Sequence, residues 1–309
     1  MSGSLTSILL DILIQDILPI FVAIGLGYLF ARRTRPDIRV LSRVTFYIFS
    51  PSLVFVSLVQ SNIDGGELLQ ISTFVMTVTL IMGGLAWLSA RALRLSPLQT
   101  SGFVLATMFV NAGNYGLGVT RLAFGAEAEA RAVIYFVTSS VMMYTLGVLI
   151  ATNFKGGWRG IVKQIFSMPH IYAMTVALTV RSLNWTVPQP VMDGLDFPAR
   201  AAIPMMLVLL GMQLANARVG EYWRPALTSS GLRLLVAPML AFALAGVFNL
   251  NVPARQAGVL QSSMPAAVIS TLIATEFEAE PKLVTGAVVL STLISPITLT
   301  IVIALLQNS

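Results

Sequence analysis

The chain has 309 residues, 56% of them hydrophobic and only 10% charged, with a formal net charge of +6 and a mean hydropathy of +0.83. A soluble domain carries about 25% charged residues, so this chain lacks the polar surface needed to face water on all sides. It has no cysteine and one histidine, His170, which excludes disulfides, thiolate chemistry and multi-histidine metal sites; the basic excess reads as membrane topology rather than nucleic-acid binding.

Apolar runs long enough to cross a bilayer core of about 30 Å predict ten spans, at 10–31, 41–60, 69–90, 98–121, 131–151, 164–182, 199–216, 228–248, 254–274 and 283–306. Residues 1–10 hold no Lys or Arg, and Arg32, Arg33 and Arg35 follow the first run, the reverse of a cleavable signal peptide. Asp16 lies near the outer end of span 1 and reads as interfacial. His170, near the start of span 6, reads as a packed or interfacial group. Arg43 and Arg233, near span ends, are expected to snorkel to the surface. Glu127, Glu129 and the run Glu276 to Glu280 read as solvated loop faces.

The loops after spans 1, 3, 5, 7 and 9 carry 13 basic residues, and those on the other side carry 5. This bias assigns the first side to the cytoplasm and both termini to the outside. The chain also repeats. Pro51 and Pro204 are 153 residues apart, as are Phe124 and Phe277; Pro97 and Pro253 are 156 apart and Pro19 and Pro169 are 150 apart. Two halves follow, 1–151 and 164–309, joined by a short cytoplasmic linker at 152–163. Five spans is an odd number, so the second half enters the membrane from the opposite side. Such inverted repeats are a common architecture of secondary transporters.

Span 4 contains Asn111-Ala112-Gly113-Asn114-Tyr115-Gly116 at its centre. Glycine weakens a helix and asparagine prefers caps and turns. Close packing through small residues would account for the glycines but needs no amides. Span 9 reads Gln261-Ser262-Ser263-Met264-Pro265 at the equivalent place. Ser263 is expected to cap a new half-helix, with Pro265 in its first turn. Matched interruptions in two halves point to a transport site, because half-helix amino ends favour an anion. Asn111, Gly113, Asn114, Tyr115, Gln261, Ser263, Met264 and Pro265 are the candidate substrate-binding residues.

No acid lies near either break, so a carboxylate proton relay there is not expected. Oxygens of Asn111, Asn114, Thr107 or Ser262 could still hold sodium. No basic residue falls at the breaks either, which favours a singly charged substrate, since each dipole supplies only about half a charge. A hydrolase would need a midplane acid–base pair that the chain lacks. No catalytic residue, metal site or cofactor is expected.

Three segments resemble the auxin efflux carrier family, including its bacterial malate-permease-like members: Asn111 to Leu117, Ala201-Ala202 with Pro204 to Leu214, and Met264-Pro265-Ala266-Ala267 continuing to Leu293. Their order and spacing carry the resemblance, which covers essentially the whole chain. It implies an all-α membrane fold of the bile-acid/sodium symporter type, in which helices 4 and 9 are broken and cross. It further implies a scaffold of spans 1, 2, 6 and 7, a transport domain of spans 3–5 and 8–10 that moves elevator-fashion, organic anion substrates and a homodimer. The chain departs from the plant carriers in lacking their long central loop and in having Ala112 in place of a proline, which favours a bacterial-type inner-membrane carrier of a carboxylate other than auxin. A sodium-coupled symporter and a non-transporting anion sensor are the alternatives.

Overall fold

A computed structural model describes residues 5–152, 163, 166–217, 220 and 222–307. The linker expected at 152–163 falls almost wholly outside the described residues, as do Lys155, Arg159, Arg218, Glu221 and both extreme termini. Eleven helices organise the described chain: α1 (Thr6–Thr34), α2 (Ile38–Val59), α3 (Gly65–Ala92), α4 (Pro97–Met108), α5 (Ala112–Ala151), α6 (Pro169–Ser182), α7 (Gln189–Asn216), α8 (Trp223–Val247), α9 (Val252–Ser262), α10 (Val268–Glu276) and α11 (Pro281–Gln307).

Polar residues set several helix starts. Asp37, Asp64 and Asn251 each accept a hydrogen bond from a first-turn backbone N–H, and Ser96 with Gln99 forms a capping box before α4. Each satisfies donors that the helix itself leaves orphaned. Between these caps the runs are apolar, and large side chains such as Leu26, Met239, Val247 and Ile297 face outward. An apolar exterior of this extent suits lipid rather than water.

Seven of these helices are long and apolar enough to cross a membrane, against ten expected spans. The shortfall has physical causes. At about 1.5 Å per residue, the 12 residues of α4 reach roughly 18 Å, well short of a bilayer core. The described α6 has 14 residues, and the span 9 region is split into α9 and α10, of 11 and 9 residues. The second limb of span 4 runs on into span 5 as the 40-residue α5. The only mark of the loop expected there is Gly125, at φ 76° and ψ −165°, a conformation that suits glycine.

That corner corrects the reading of Glu129, while Glu127 is exposed as expected. Glu129 is buried and paired with Arg121 at 2.6 Å, while Arg131 donates to the Glu127 carbonyl and forks onto both carboxylate oxygens of Glu67. The reversal buries Glu129 and Arg131, while Arg121 and Glu127 stay exposed. Glu276 and Glu278 are also exposed as expected.

The helices pack in two groups. α1, α2, α6 and α7 contact one another extensively; α3, α4, α5, α8, α9, α10 and α11 form the other group. The tightest approach within the first is between α1 and α7. A Cβ on Gly27 would lie 2.1 Å from the Val208 carbonyl oxygen, and one on Gly211 would lie 1.9 Å from that of Ile24. Two glycines thus let the backbones touch, the usual device where apolar burial cannot drive helices together.

Candidate functional site

The chain is interrupted twice, and the interruptions meet. After α4, residue Phe109 turns extended (φ −107°, ψ 137°); before α10, Ala267 does the same (φ −67°, ψ 129°). Val110 and Ala266 pair as an isolated antiparallel bridge. The Asn111 N–H donates to the Pro265 carbonyl at 2.9 Å, and the Ala267 N–H donates to the Phe109 carbonyl at 3.1 Å. Pro265 fits this ladder because its position only accepts; its missing N–H is never called on. The Ala266 N–H is satisfied by the Ser291 hydroxyl at 3.1 Å.

Four helix ends therefore converge in the interior. The two carboxyl ends, of α4 and α9, share one cation. Arg233 on α8 is 1% exposed; it donates to the carbonyls of Thr107 (3.0 Å) and Met108 (3.5 Å), and to that of Ser262. A guanidinium set against two carboxyl ends offsets both dipoles and fills their orphan acceptors. This overturns the expectation that Arg233 snorkels to the surface. It also places a basic residue at the crossing, where none was expected, with its charge set against the two carboxyl ends. Hydroxyls tie the same region: Thr107 to Ser229 at 2.8 Å and Tyr135 to Ser262 at 3.1 Å.

The two amino ends, of α5 and α10, have no side-chain cap, since neither Asn111 nor Ala267 provides one. The Ser270 N–H donates to the Ala267 carbonyl at 3.1 Å; the earlier first-turn N–H groups have no intrahelical acceptor. α5 opens on a π-helical turn, 112–116, a distortion frequent at functional sites.

The eight sequence candidates separate. Asn111 is buried with its Nδ2 unpartnered, and it lines a small cavity of about 40 Å³ together with Gly113 and Asn114. Gly113 is required there, because a Cβ would sit 2.7 Å from the Phe136 ring. Asn114 also lines a larger cavity of about 250 Å³; the two cavities share Asn114, Phe136, Ser140, Tyr144 and Ile269 as walls. Tyr115 points elsewhere, fully buried with its hydroxyl 3.1 Å from Ser295. Gln261 is fully buried behind the crossing, with its amide 3.4 Å from the Thr120 hydroxyl and its carbonyl oxygen packed over Gly116. Ser263, Met264 and Pro265 form the turn between α9 and α10. Ser263 does not cap the new half-helix; it ends α9, its hydroxyl donating back to Val259 at 2.7 Å. α10 begins only at Val268 because residues 265–267 are held extended by the bridge to the first interruption.

Sequence reasoning missed Arg233 and the far wall of the larger cavity. That wall carries Ser50, His170 and Gln213. A single arginine inside an apolar run was the available signal for the first. Among the described residues no cluster of three His, Cys, Asp or Glu side chains could hold a metal ion.

The family model described as "Membrane transport protein" matches residues 12–157 and 159–303. The chain belongs to this family, the auxin efflux carrier family, whose members are transporters and not enzymes. It is a multi-pass membrane protein. It is similar to an uncharacterized transporter of Methanothermobacter thermautotrophicus, at 28% identity over 92% of this chain and 95% of that one. An uncharacterized transporter of Methanocaldococcus jannaschii is 24% identical over 90% and 94%. A Rhizobium meliloti protein named "Putative malonate transporter" is 25% identical over 94% and 95%.

Proposed function

We propose that this protein carries small organic anions, carboxylates, across the inner (plasma) membrane by elevator-type alternating access. The observation that carries the reading is the crossing: two helix amino ends without side-chain caps, brought together beside the unpartnered Asn111 amide and opening on cavities that Asn114 lines. Uncapped amino ends attract an anion. The Rhizobium relative, named for malonate, supports a small carboxylate.

In this reading the chain has ten spans in two inverted repeats, 1–151 and 164–309, with a bile-acid/sodium symporter type of fold. The group α1, α2, α6 and α7 is the scaffold, and α3–α5 with α8–α11 moves against it. The larger cavity adjoins another of about 480 Å³ through Ser42, Arg43, Gln213 and Leu272, toward Arg39 and Asn216. By the charge bias this is the cytoplasmic end, so the conformation is inward-facing and both termini lie outside. At the other end, the ion pairs Arg121–Glu129 and Arg131–Glu67 brace α3 and α5 within the moving group, and the Arg181–Ser61 hydrogen bond joins α6 to the end of α2. The scaffold pairs with its copy in a homodimer.

The test is uptake of a panel of labelled carboxylates into proteoliposomes, with and without sodium and pH gradients. Saturable flux that Asn111→Ala abolishes is the expected result. Binding without flux for every carboxylate would replace the carrier with a sensor, and flux unchanged in Asn111→Ala would remove the crossing as the site.

A further inference from the structure

We propose that Ser50, His170 and Gln213 form a second polar half-site across the larger cavity from Asn114, and that they select short dicarboxylates over monocarboxylates. The proposal rests on the carrier reading above and deepens it by naming the substrate class.

The argument begins with unmet hydrogen bonds. His170 is 1% exposed and neither ring nitrogen has a partner. The Ser50 hydroxyl, 2% exposed, and the Gln213 Oε1 are likewise unpartnered. Buried polar groups are nearly always satisfied, and leaving one bare is costly. On the same helix Thr45 and Ser52, by contrast, donate to carbonyls four residues back, at 2.9 and 2.8 Å. These three residues come from α2, α6 and α7, and all line one cavity with Asn114 of α5. Convergence of bare polar atoms from three helices is what a binding wall requires, and packing alone does not account for it.

The histidine is also held in place. Its ring lies edge-on to Phe46 at 5.4 Å and tilted against Phe136 at 5.3 Å. A ring fixed by aromatic neighbours and left without hydrogen bonds is preorganised for a ligand. In the neutral form it offers one donor and one acceptor; Ser50 adds a donor, and the Gln213 amide can present either.

Size and charge set the class. A cavity of about 250 Å³ is below the range of roughly 300–1,000 Å³ for drug-sized ligands, so the occupant has few heavy atoms. Asn114, Ser50, His170 and Gln213 line it together with the apolar Met206, Leu209 and Ile269. A molecule with one carboxylate at the crossing and another a short spacer away meets both Asn114 and the second half-site. Arg43, which also lines the cavity, supplies positive charge for a doubly charged anion.

The experiment measures competition against labelled malonate uptake in proteoliposomes, by unlabelled malonate and by propionate, which is close in size but has one carboxylate. Wild-type protein is expected to prefer malonate by at least about tenfold. His170→Leu and Ser50→Ala should each weaken malonate about tenfold or more and leave propionate unchanged, with His170→Gln intermediate; Asn114→Ala should weaken both. Melting curves in detergent screen out misfolded variants, and Ser50→Ala keeps the test alive should His170→Leu fail to fold. Equal weakening of both acids, or an unchanged preference in Ser50→Ala and His170→Gln, overturns the half-site while the carrier reading stands. Failure of the wild type to move or bind either acid overturns the carrier reading itself.

Discussion

The two interruptions occupy matching places in the sequence and do different work. The first, Phe109 to Gly116, opens onto cavities: Asn111, Gly113 and Asn114 line them, and the Asn111 amide lacks a protein partner. The second, Ser263 to Ala267, is more enclosed, with Ala267 at the wall of the small cavity. All five residues are buried; the Ser263 hydroxyl bonds to Val259, the Pro265 carbonyl to Asn111 and the Ala266 N–H to Ser291. The neighbours of each break decide whether its polar groups serve the fold or a ligand.

The strongest way to break this contrast is to remove what the two interruptions share. Arg233→Ala leaves carbonyls of Thr107, Met108 and Ser262 without their charged donor. Hydrogen bonds to charged groups contribute roughly 1.5–3 kcal/mol each, so a loss of about 3 kcal/mol or more is expected, visible as a much lower melting temperature together with lost transport. A variant that melts like the wild type would show that the crossing holds without its cation.

Next in size is Asn114→Ala, expected to lower uptake at least about tenfold while the melting temperature barely moves, since no packing is lost. A joint fall in both would make Asn114 a structural residue like those of the second interruption. Gly116→Ala comes third. Its Cβ would lie 2.1 Å from the Gln261 Oε1, inside a fully buried site, and overpacking of this kind costs about 1–3 kcal/mol. Gln261→Ala in the same chain should restore part of the melting temperature; no recovery would mean that the clash lies elsewhere. The smallest effect belongs to Ser263→Ala, which loses one local hydroxyl bond. Thermal stability within about 1 kcal/mol and near-normal uptake are expected, whereas abolished uptake would erase the contrast between the two interruptions.

Much of this was legible in the sequence because it is local. Asn and Gly in an apolar run mark a weak helix, and the first break falls at the leading edge of that stretch, at Phe109 to Asn111; the second falls around Met264-Pro265, where proline marks it. What sequence could not supply was the partner of each group. Arg233 near the end of an apolar run has two outcomes, outward to water or inward to helix carboxyl ends, and only the tertiary meeting of α4 and α9 decides between them. His170 and Ser50 are ordinary helix residues until α2, α6 and α7 bring them to one wall. Ser263 looked like a cap because Ser-x-Pro suits a helix start; a bridge to residues over 150 positions away keeps that stretch extended instead. The acids around Gly125 looked solvated because the corner that buries Glu129 is a single positive-φ glycine within α5.

The most direct measurement is saturable uptake of labelled malonate into proteoliposomes holding equal amounts of folded wild-type or Asn114→Ala protein. The account predicts flux above empty liposomes for the wild type and near-background flux for the variant. Equal flux from both proteins would contradict it, by moving the substrate away from the first interruption.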